Sequence, residues 1–202
     1  MLIEIRSKNA DQRKIDKICD ILNAGGLIVV PTDTIYAFAA SINSKKGLEK
    51  LAKIKNVKLK KSQFSLICND LSEISTYTKP IDRKIFRTMK NSFPGPFTFI
   101  LNANNNIAKL FGSNKKEVGI RVPDHGFTRA LIESLGHPLV SSSVHDDDEI
   151  IKYTTDPNTI FERHENEVDA VIDSGYGKNV ASTIVDCTLD QPSILRQGAG
   201  IL

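Results

Sequence analysis

Several short groups of residues in this chain carry side chains able to do chemistry. Pro31-Thr32-Asp33-Thr34-Ile35-Tyr36 directly follows the aliphatic run Leu27–Val30. Proline ends a strand's hydrogen-bond ladder, after which two hydroxyls and a carboxylate project at a sheet end, where open α/β sheets place their ligands. The same residues would also close a tight Asx turn. Arg121 stands in an otherwise apolar alternation with Val118, Ile120 and Val122. A buried arginine needs a partner, and its planar fork suits a carboxylate or a phosphate, whether from a ligand or from a structural salt bridge. Ser141-Ser142-Ser143 ends a run that begins after Pro138. Consecutive hydroxyls and amides at a strand-to-loop turn can cradle phosphate, and they are also ordinary turn residues. Ser182-Thr183 follows the glycine loop Gly175-Tyr176-Gly177, and Arg196-Gln197-Gly198 lies near the end of the chain. Glycine there lets backbone approach an anion closely. Pro94-Gly95-Pro96 is a rigid corner ahead of Phe97 and Thr98.

Other chemistry is excluded by what is missing. There is no GxxxxGK[ST], no GxGxxG after a strand and no GxSxG elbow, so a P-loop, a dinucleotide fold and a serine hydrolase are not expected. The acidic run Asp146–Glu149 after His145 reads as a solvated loop, and His125, His137 and His164 lack ligand spacing, so no metal site is assigned. Cys19, Cys68 and Cys187 are odd in number and form no CxxC, which excludes a disulfide framework or a zinc knuckle.

The formal net charge of +3 hides an asymmetry. Residues 1–90 hold 18 Lys and Arg against nine acids, whereas residues 91–202 hold nine against 15. Eight lysines fall within residues 45–61, accompanied by one acid, Glu49. This suggests an anionic partner, a nucleic acid or a phosphorylated small molecule, unless the lysines are simply a solvated helix face.

These groups need elements to hold them. Strands are expected at Leu2–Arg6, Leu27–Val30, Phe64–Cys68, Phe97–Leu101, Val118–Val122, Leu139–Ser142, Asp169–Ile172, Thr183–Cys187 and Ser193–Arg196. Helices are expected at Asn9–Asn23, Ser44–Ile54, Asp82–Lys90 and His125–Leu135, with Asp70 and Glu73 as a capping box for a further short one. The polar stretch Asp146–Asn166 is expected to be a mobile loop. With 202 residues, 40% apolar and 25% charged, the chain reads as one α/β domain around a mixed sheet. No apolar run approaches the roughly 20 residues a membrane span needs, and residues 1–20 have no apolar signal segment. A cytoplasmic protein that makes no membrane contact is expected.

In this order and spacing, the motifs resemble the YrdC/YciO family. They are GGLIVVPTDTIYAFA (25–39), the lysine stretch 53–61 running into FSLIC, PGPFTFIL (94–101), VGIRVPDH (118–125), HPLVSSS (137–143), STIVD (182–186) and LRQG (195–198). The segment 75–101 is more similar to the YciO branch. The resemblance implies one YrdC-like domain over residues 1–202, with a twisted mixed parallel and antiparallel sheet flanked by helices and a basic concave cavity. It also implies a nucleotidyltransferase activity, in which L-threonine, bicarbonate and ATP give threonylcarbamoyl-AMP and pyrophosphate in tRNA t6A modification. By position, Thr34, Arg121, Ser141 and Ser182 fall on the threonine side. Lys55, Ser143 and Arg196 fall on the ATP side, with Mg²⁺ bridging phosphates. No side chain acts as a covalent nucleophile, because the carbamate itself attacks the α-phosphate. The alternative is an RNA-binding protein of the same fold, with Lys58, Lys60 and Lys61 contacting tRNA or double-stranded RNA. The chain departs from the family at Val57, where an arginine is usual, at His145, where an asparagine is usual, and at Ala37–Ala40, where the family is glycine-rich.

Overall fold

Alternation along the strands decides which side of the sheet each residue serves. In the computed structural model, which describes residues 1–5, 11–112, 115–144, 155–189 and 191–202, ten strands form one sheet. They are β1 (Leu2–Glu4), β2 (Leu27–Val30), β3 (Ala37–Ser41), β4 (Ser65–Ile67), β5 (Phe97–Asn102), β6 (Glu117–Arg121), β7 (Leu139–Ser143), β8 (Ala170–Asp173), β9 (Thr183–Asp186) and β10 (Ser193–Arg196). Their order is β1-β8-β2-β3-β7-β4-β6-β5-β9-β10. The pairs β1/β8, β2/β8, β4/β6 and β5/β9 are parallel and the rest antiparallel, giving the expected mixed sheet. Six α-helices accompany it among the described residues: α1 (Gln12–Asn23), α2 (Lys45–Ile54), α3 (Arg83–Ser92), α4 (Asn105–Phe111), α5 (Gly126–Leu135) and α6 (Pro157–His164).

One face of the sheet is apolar from β2 to β9. Leu27, Val29, Phe38, Ala40, Val140, Leu66, Val118, Ile120, Phe97, Phe99 and Val185 are buried there in one cluster with Leu48 and Leu51 of α2, Ile85 and Met89 of α3, Ile107 and Phe111 of α4 and Ile160 of α6. The opposite face is covered over only part of its width. Ile28, Val30, Ala37, Ala39, Ile67, Leu139, Ala170 and Ile172 pack against Ile15, Ile18 and Leu22 of α1 and Phe127, Leu131 and Ile132 of α5. Beyond Leu139 and Ile67 the same face turns polar. Ser141 and Ser143 follow on β7, Ser65 precedes on β4, and Gly119, Arg121 and Thr98 stand at the matching positions of β6 and β5.

Several expected elements shift or appear. The run Ala37–Ser41, which the sequence reading assigns to no element, is a buried strand paired with both β2 and β7. Small side chains suit it because α2 lies close: a Cβ at Gly47 would sit 3.1 Å from the Ala40 Cβ. Helix α4 was not expected; Asn104 caps its start and Gly112, at φ 60°, ends it. The mobile-loop expectation for Asp146–Asn166 is overturned at its far end, where Asp156 caps α6 and Pro157 opens it. Residues 145–154 lie outside the described ones. Asp70 accepts from the Ser72 N–H in a turn, and Glu73 accepts from the Asn69 N–H at 3.4 Å, so the expected Asp70–Glu73 capping box does not form ahead of the 3-10 turn at Ile74–Thr76. The three cysteines are free and buried.

Candidate functional site

The polar half-face gathers most of the residues singled out in the sequence. Arg121 ends β6, and its guanidinium Nη2 donates to Thr34 Oγ1 at 2.8 Å and lies 3.3 Å from Asp33 Oδ1. Strand β6 is three strands from β3 in the sheet, so the loop 31–36 joining β2 to β3 must fold over the face to reach it. Thr32 shapes that loop, donating to the Ile35 carbonyl at 2.7 Å and accepting from the Thr34 N–H at 3.1 Å. The Thr128 hydroxyl of α5 holds the loop's root through the Pro31 carbonyl at 2.6 Å. At the loop's far end, Tyr36 donates to the Gly175 carbonyl at 2.7 Å, and the Lys178 N–H donates to the Thr34 carbonyl at 3.1 Å.

The ion pair is incompletely bonded. The Arg121 and Asp33 side chains are 10% and 7% exposed. Among the described residues, Arg121 Nε and Asp33 Oδ2 are the buried side-chain polar atoms that find no hydrogen-bond partner. Each such orphan costs about 1–3 kcal/mol, so two on one pair mark a place that gains from a ligand. Burial pushes the Arg121 guanidinium below its ordinary value, Asp33 opposes that, and Arg196 adds to the downward push. His125 caps α5 by accepting from the Thr128 N–H; burial pushes its imidazole down, against the pull of Asp33 and Asp124.

The remaining residues lie along the same face. Ser182 and Thr98 share a hydroxyl–hydroxyl hydrogen bond of 2.8 Å. Arg196 donates through Nε and Nη2 to the Ser182 carbonyl at 3.3 and 2.9 Å, and burial lowers its pKa. The turn behind Arg196 is latched by Thr183, whose hydroxyl accepts from the Gly198 and Gly200 amides. A side chain at Gly198 would collide with the backbone of Ala181 and Ser182. Ser141 donates to the Ser65 carbonyl at 3.3 Å. Lys55 reaches the Ser143 carbonyl at 3.4 Å from the end of α2, which Asn56 closes in the left-handed region at φ 50°. The proline corner also belongs here, since the Gly95 N–H donates to the Val122 carbonyl and the Pro96 carbonyl accepts from the Thr183 N–H, both at 2.9 Å.

Beside this row opens a cavity of about 550 Å³. Its floor includes Ser65, Gly119 and Thr98, its wall Ile184 and Leu195, and its rim Lys60, Lys61, Lys115 and Lys116. Gly119 has to lack a side chain: a Cβ there would lie 2.5 Å from Ser65 Oγ and 3.2 Å from Thr98 Cγ2. The expected basic character is present, although Lys58 is not among the lining residues. Val57 is 41% exposed at the surface. Sequence reasoning missed Lys115, which donates to the Ser62 and Phe64 carbonyls at 2.9 and 3.4 Å and lies 4.4 Å from the Phe111 ring centroid. Burial pushes its pKa down to about 8, with Glu117 opposing. No helix among the described residues is long and apolar enough to cross a membrane.

This arrangement can bind a small molecule carrying a carboxylate at Arg121 and an anionic group along the lysine rim. Comparison with known proteins finds relatives of this chain. YciO of Escherichia coli (strain K12) is 37% identical over 198 residues, covering 97% of this chain and 94% of that protein. The E. coli YciO crystal structure matches with a TM-score of 0.89 at 36% identity, covering 100% of this chain and 97% of that one. A threonylcarbamoyl-AMP synthase of Neisseria gonorrhoeae is 33% identical over 128 residues, 63% of this chain and 67% of that protein. The fold is also that of P. abyssi Sua5 in a crystal structure complexed with L-threonine, with a TM-score of 0.87 at 22% identity over 98% of this chain and 57% of that one. Residues 20–198 match the Sua5/YciO/YrdC family model, described as telomere recombination. By fold, by sequence identity and by this match, the chain belongs to the Sua5/YciO/YrdC family.

Proposed function

We propose that the open half-face binds an α-amino acid beside a nucleotide, and that the chain is an ATP-dependent L-threonylcarbamoyladenylate synthase acting in t6A modification of tRNA. The observation that carries this reading is the buried Arg121 guanidinium beside Thr34, with its Nε unpartnered among the described residues. The 33% identity to a threonylcarbamoyl-AMP synthase supports it. In the proposed reaction the threonine amine and bicarbonate condense to a carbamate, releasing water. A carbamate oxygen then attacks the α-phosphorus of ATP, and the bond to the β-phosphate oxygen breaks to release pyrophosphate. Arg121 and Thr34 hold the amino acid's carboxylate and hydroxyl end, with Ser141 and Ser182 lining its side. Lys55, Ser143 and Arg196 face the nucleotide. All act by position and charge, so no protein nucleophile is needed.

The loss of the family arginine at Val57 leaves the phosphates to lysines. Lys60, Lys61, Lys115 and Lys116 line the cavity and supply that charge as point cations rather than as a bidentate fork. Among the described residues no cluster of three or more His, Cys, Asp or Glu is arranged to hold a metal ion. In the proposed reaction Mg²⁺ enters with the triphosphate, as part of the substrate.

The test is pyrophosphate release by the purified chain, with each of L-threonine, bicarbonate and ATP omitted in turn. Release that needs all three is expected; no release at high enzyme concentration with all three present would overturn the reading. The exposed lysines Lys58, Lys60 and Lys61 favour a second reading, RNA binding without turnover. Its mark is an affinity for tRNA or double-stranded RNA that falls with salt by about 0.7–0.9 log units per log unit of salt and neutralised phosphate.

A further inference from the structure

We infer that Asp33 is a specificity-determining residue whose second carboxylate oxygen receives the ammonium of an α-amino acid seated on Arg121. This rests on the amino-acid reading above and sharpens it: the site selects a zwitterion over a plain carboxylic acid.

Bonding geometry gives the first argument. An arginine and a carboxylate paired only for structure usually meet fork to fork, with two parallel hydrogen bonds. Here a single nitrogen, Nη2, meets a single oxygen, Oδ1, at 3.3 Å, and that nitrogen is shared with Thr34 Oγ1 at 2.8 Å. The pair thereby keeps one donor, Arg121 Nε, and one acceptor, Asp33 Oδ2, buried and without partners among the described residues. Both side chains are at least nine-tenths buried. Buried polar atoms that remain unpaired in a folded protein call for an explanation. A ligand offering one acceptor and one donor a short distance apart satisfies both at once. The carboxylate and ammonium of an α-amino acid sit on the same carbon and meet that requirement.

Charge gives the second argument. Asp33 faces Arg121 directly, with Arg196 adding a second cation and Asp124 a second carboxylate nearby. His125, also within their reach, is pushed toward its neutral form by burial. At the binding point itself the Arg121 and Asp33 charges offset one another. A hydroxy acid would bring an uncompensated negative charge into a low-dielectric site beside Asp33, whereas a zwitterion adds no net charge. Thr34 and Thr32, whose hydroxyls lie 3.2 Å apart, add neutral hydrogen-bonding capacity around the same point.

The experiment compares L-threonine with 3-hydroxybutanoate, which keeps the carboxylate and hydroxyl and lacks the amine. Binding of each is measured by calorimetry to the wild-type chain, to Asp33→Asn and to Arg121→Ala. Wild type should prefer L-threonine by about tenfold or more, the usual scale of one charge-assisted hydrogen bond. Asp33→Asn should weaken L-threonine and strengthen 3-hydroxybutanoate, because it removes the carboxylate that repels a plain anion. Equal loss for both acids in Asp33→Asn would mean that Asp33 only orients Arg121, and would overturn the inference. Equal, Arg121-dependent binding of both acids to wild type would overturn it without any variant and would leave the amino-acid site standing. Binding of neither acid to wild type would remove the site and the inference together.

Discussion

One face of the sheet is two surfaces. Under α1 and α5 it is built from Ile28, Val30, Ala37, Ala39, Ala170 and Ile172, and it is closed. Toward β6, β5 and β9 it is built from Ser65, Gly119, Arg121, Thr98 and Ser182, and it opens into a cavity. Strand β7 crosses from one to the other: Leu139 packs under the helices, and Ser141 and Ser143, two and four residues on, face the open side. Strand β4 makes the same crossing in reverse, with Ile67 covered and Ser65 open. Backbone pairing is continuous throughout. The boundary is therefore a matter of side chains, and a helix covers the sheet only where the alternation supplies apolar partners. The polar half contributes less to stability, and what it gives up is available to a ligand.

The largest effect should come from the covered half. Leu131 is fully buried between α5 and the sheet, so Leu131→Ala should cost about 2–5 kcal/mol of stability in urea unfolding. The folded fraction of that variant should bind ligands as wild type does. If ligand affinity fell with it, the two halves would not be separable. Next comes Gly119→Ala at the centre of the open half. Its Cβ must displace Ser65 or Thr98, at a cost of about 1–3 kcal/mol, and it also narrows the cavity floor. It should weaken ligand affinity as well as lower the melting temperature.

Smaller still is the effect of Thr98→Val, which keeps the shape but removes the hydroxyl bonded to Ser182. The loss should be about 1 kcal/mol or more of stability, with a several-fold drop in threonine-dependent turnover. Lys60→Ala with Lys61→Ala should weaken binding of inorganic pyrophosphate a few-fold at low salt, and hardly at all at high salt, while leaving L-threonine binding unchanged. Equal effects on both ligands would erase the distinction between a carboxylate end and a phosphate end.

A different kind of effect is a pH signature. Burial lowers the Lys115 pKa to about 8, whereas in the unfolded chain it is about 10.4. Between those values the unfolded chain binds more protons, so this lysine makes stability rise with pH across that window, having imposed its full cost below pH 8. The stability of wild type minus that of Lys115→Met in chemical unfolding should stay level below pH 8 and rise from pH 8 to 10.5. A flat difference would mean that Lys115 is solvated.

Much of this was legible in the sequence, for identifiable reasons. Arg121 stands out because an arginine in an apolar strand needs a partner, and Ser141 and Ser143 because consecutive hydroxyls close the strand that follows Pro138. The strand Ala37–Ser41 was not legible, because alanines required by a close helix carry no strand propensity. Helix α4 hid behind a run of asparagines that reads as a loop, although one of them, Asn104, is its cap. The carboxylate of Asp33 was visible, but its partner lies 88 residues away and only the fold brings them together. Lys115 was missed because its two carbonyl partners lie more than 50 residues upstream and nothing local marks it as buried.

The central claim is that the open half-face seats an amino acid on Arg121. Its most direct test is a calorimetric titration of L-threonine into wild type and into Arg121→Ala, with folding of both checked by melting curves. One molecule bound per chain, with affinity falling by roughly 10–100-fold in the variant, is the predicted result. Undiminished binding to a folded Arg121→Ala, or no binding to wild type, would contradict the account.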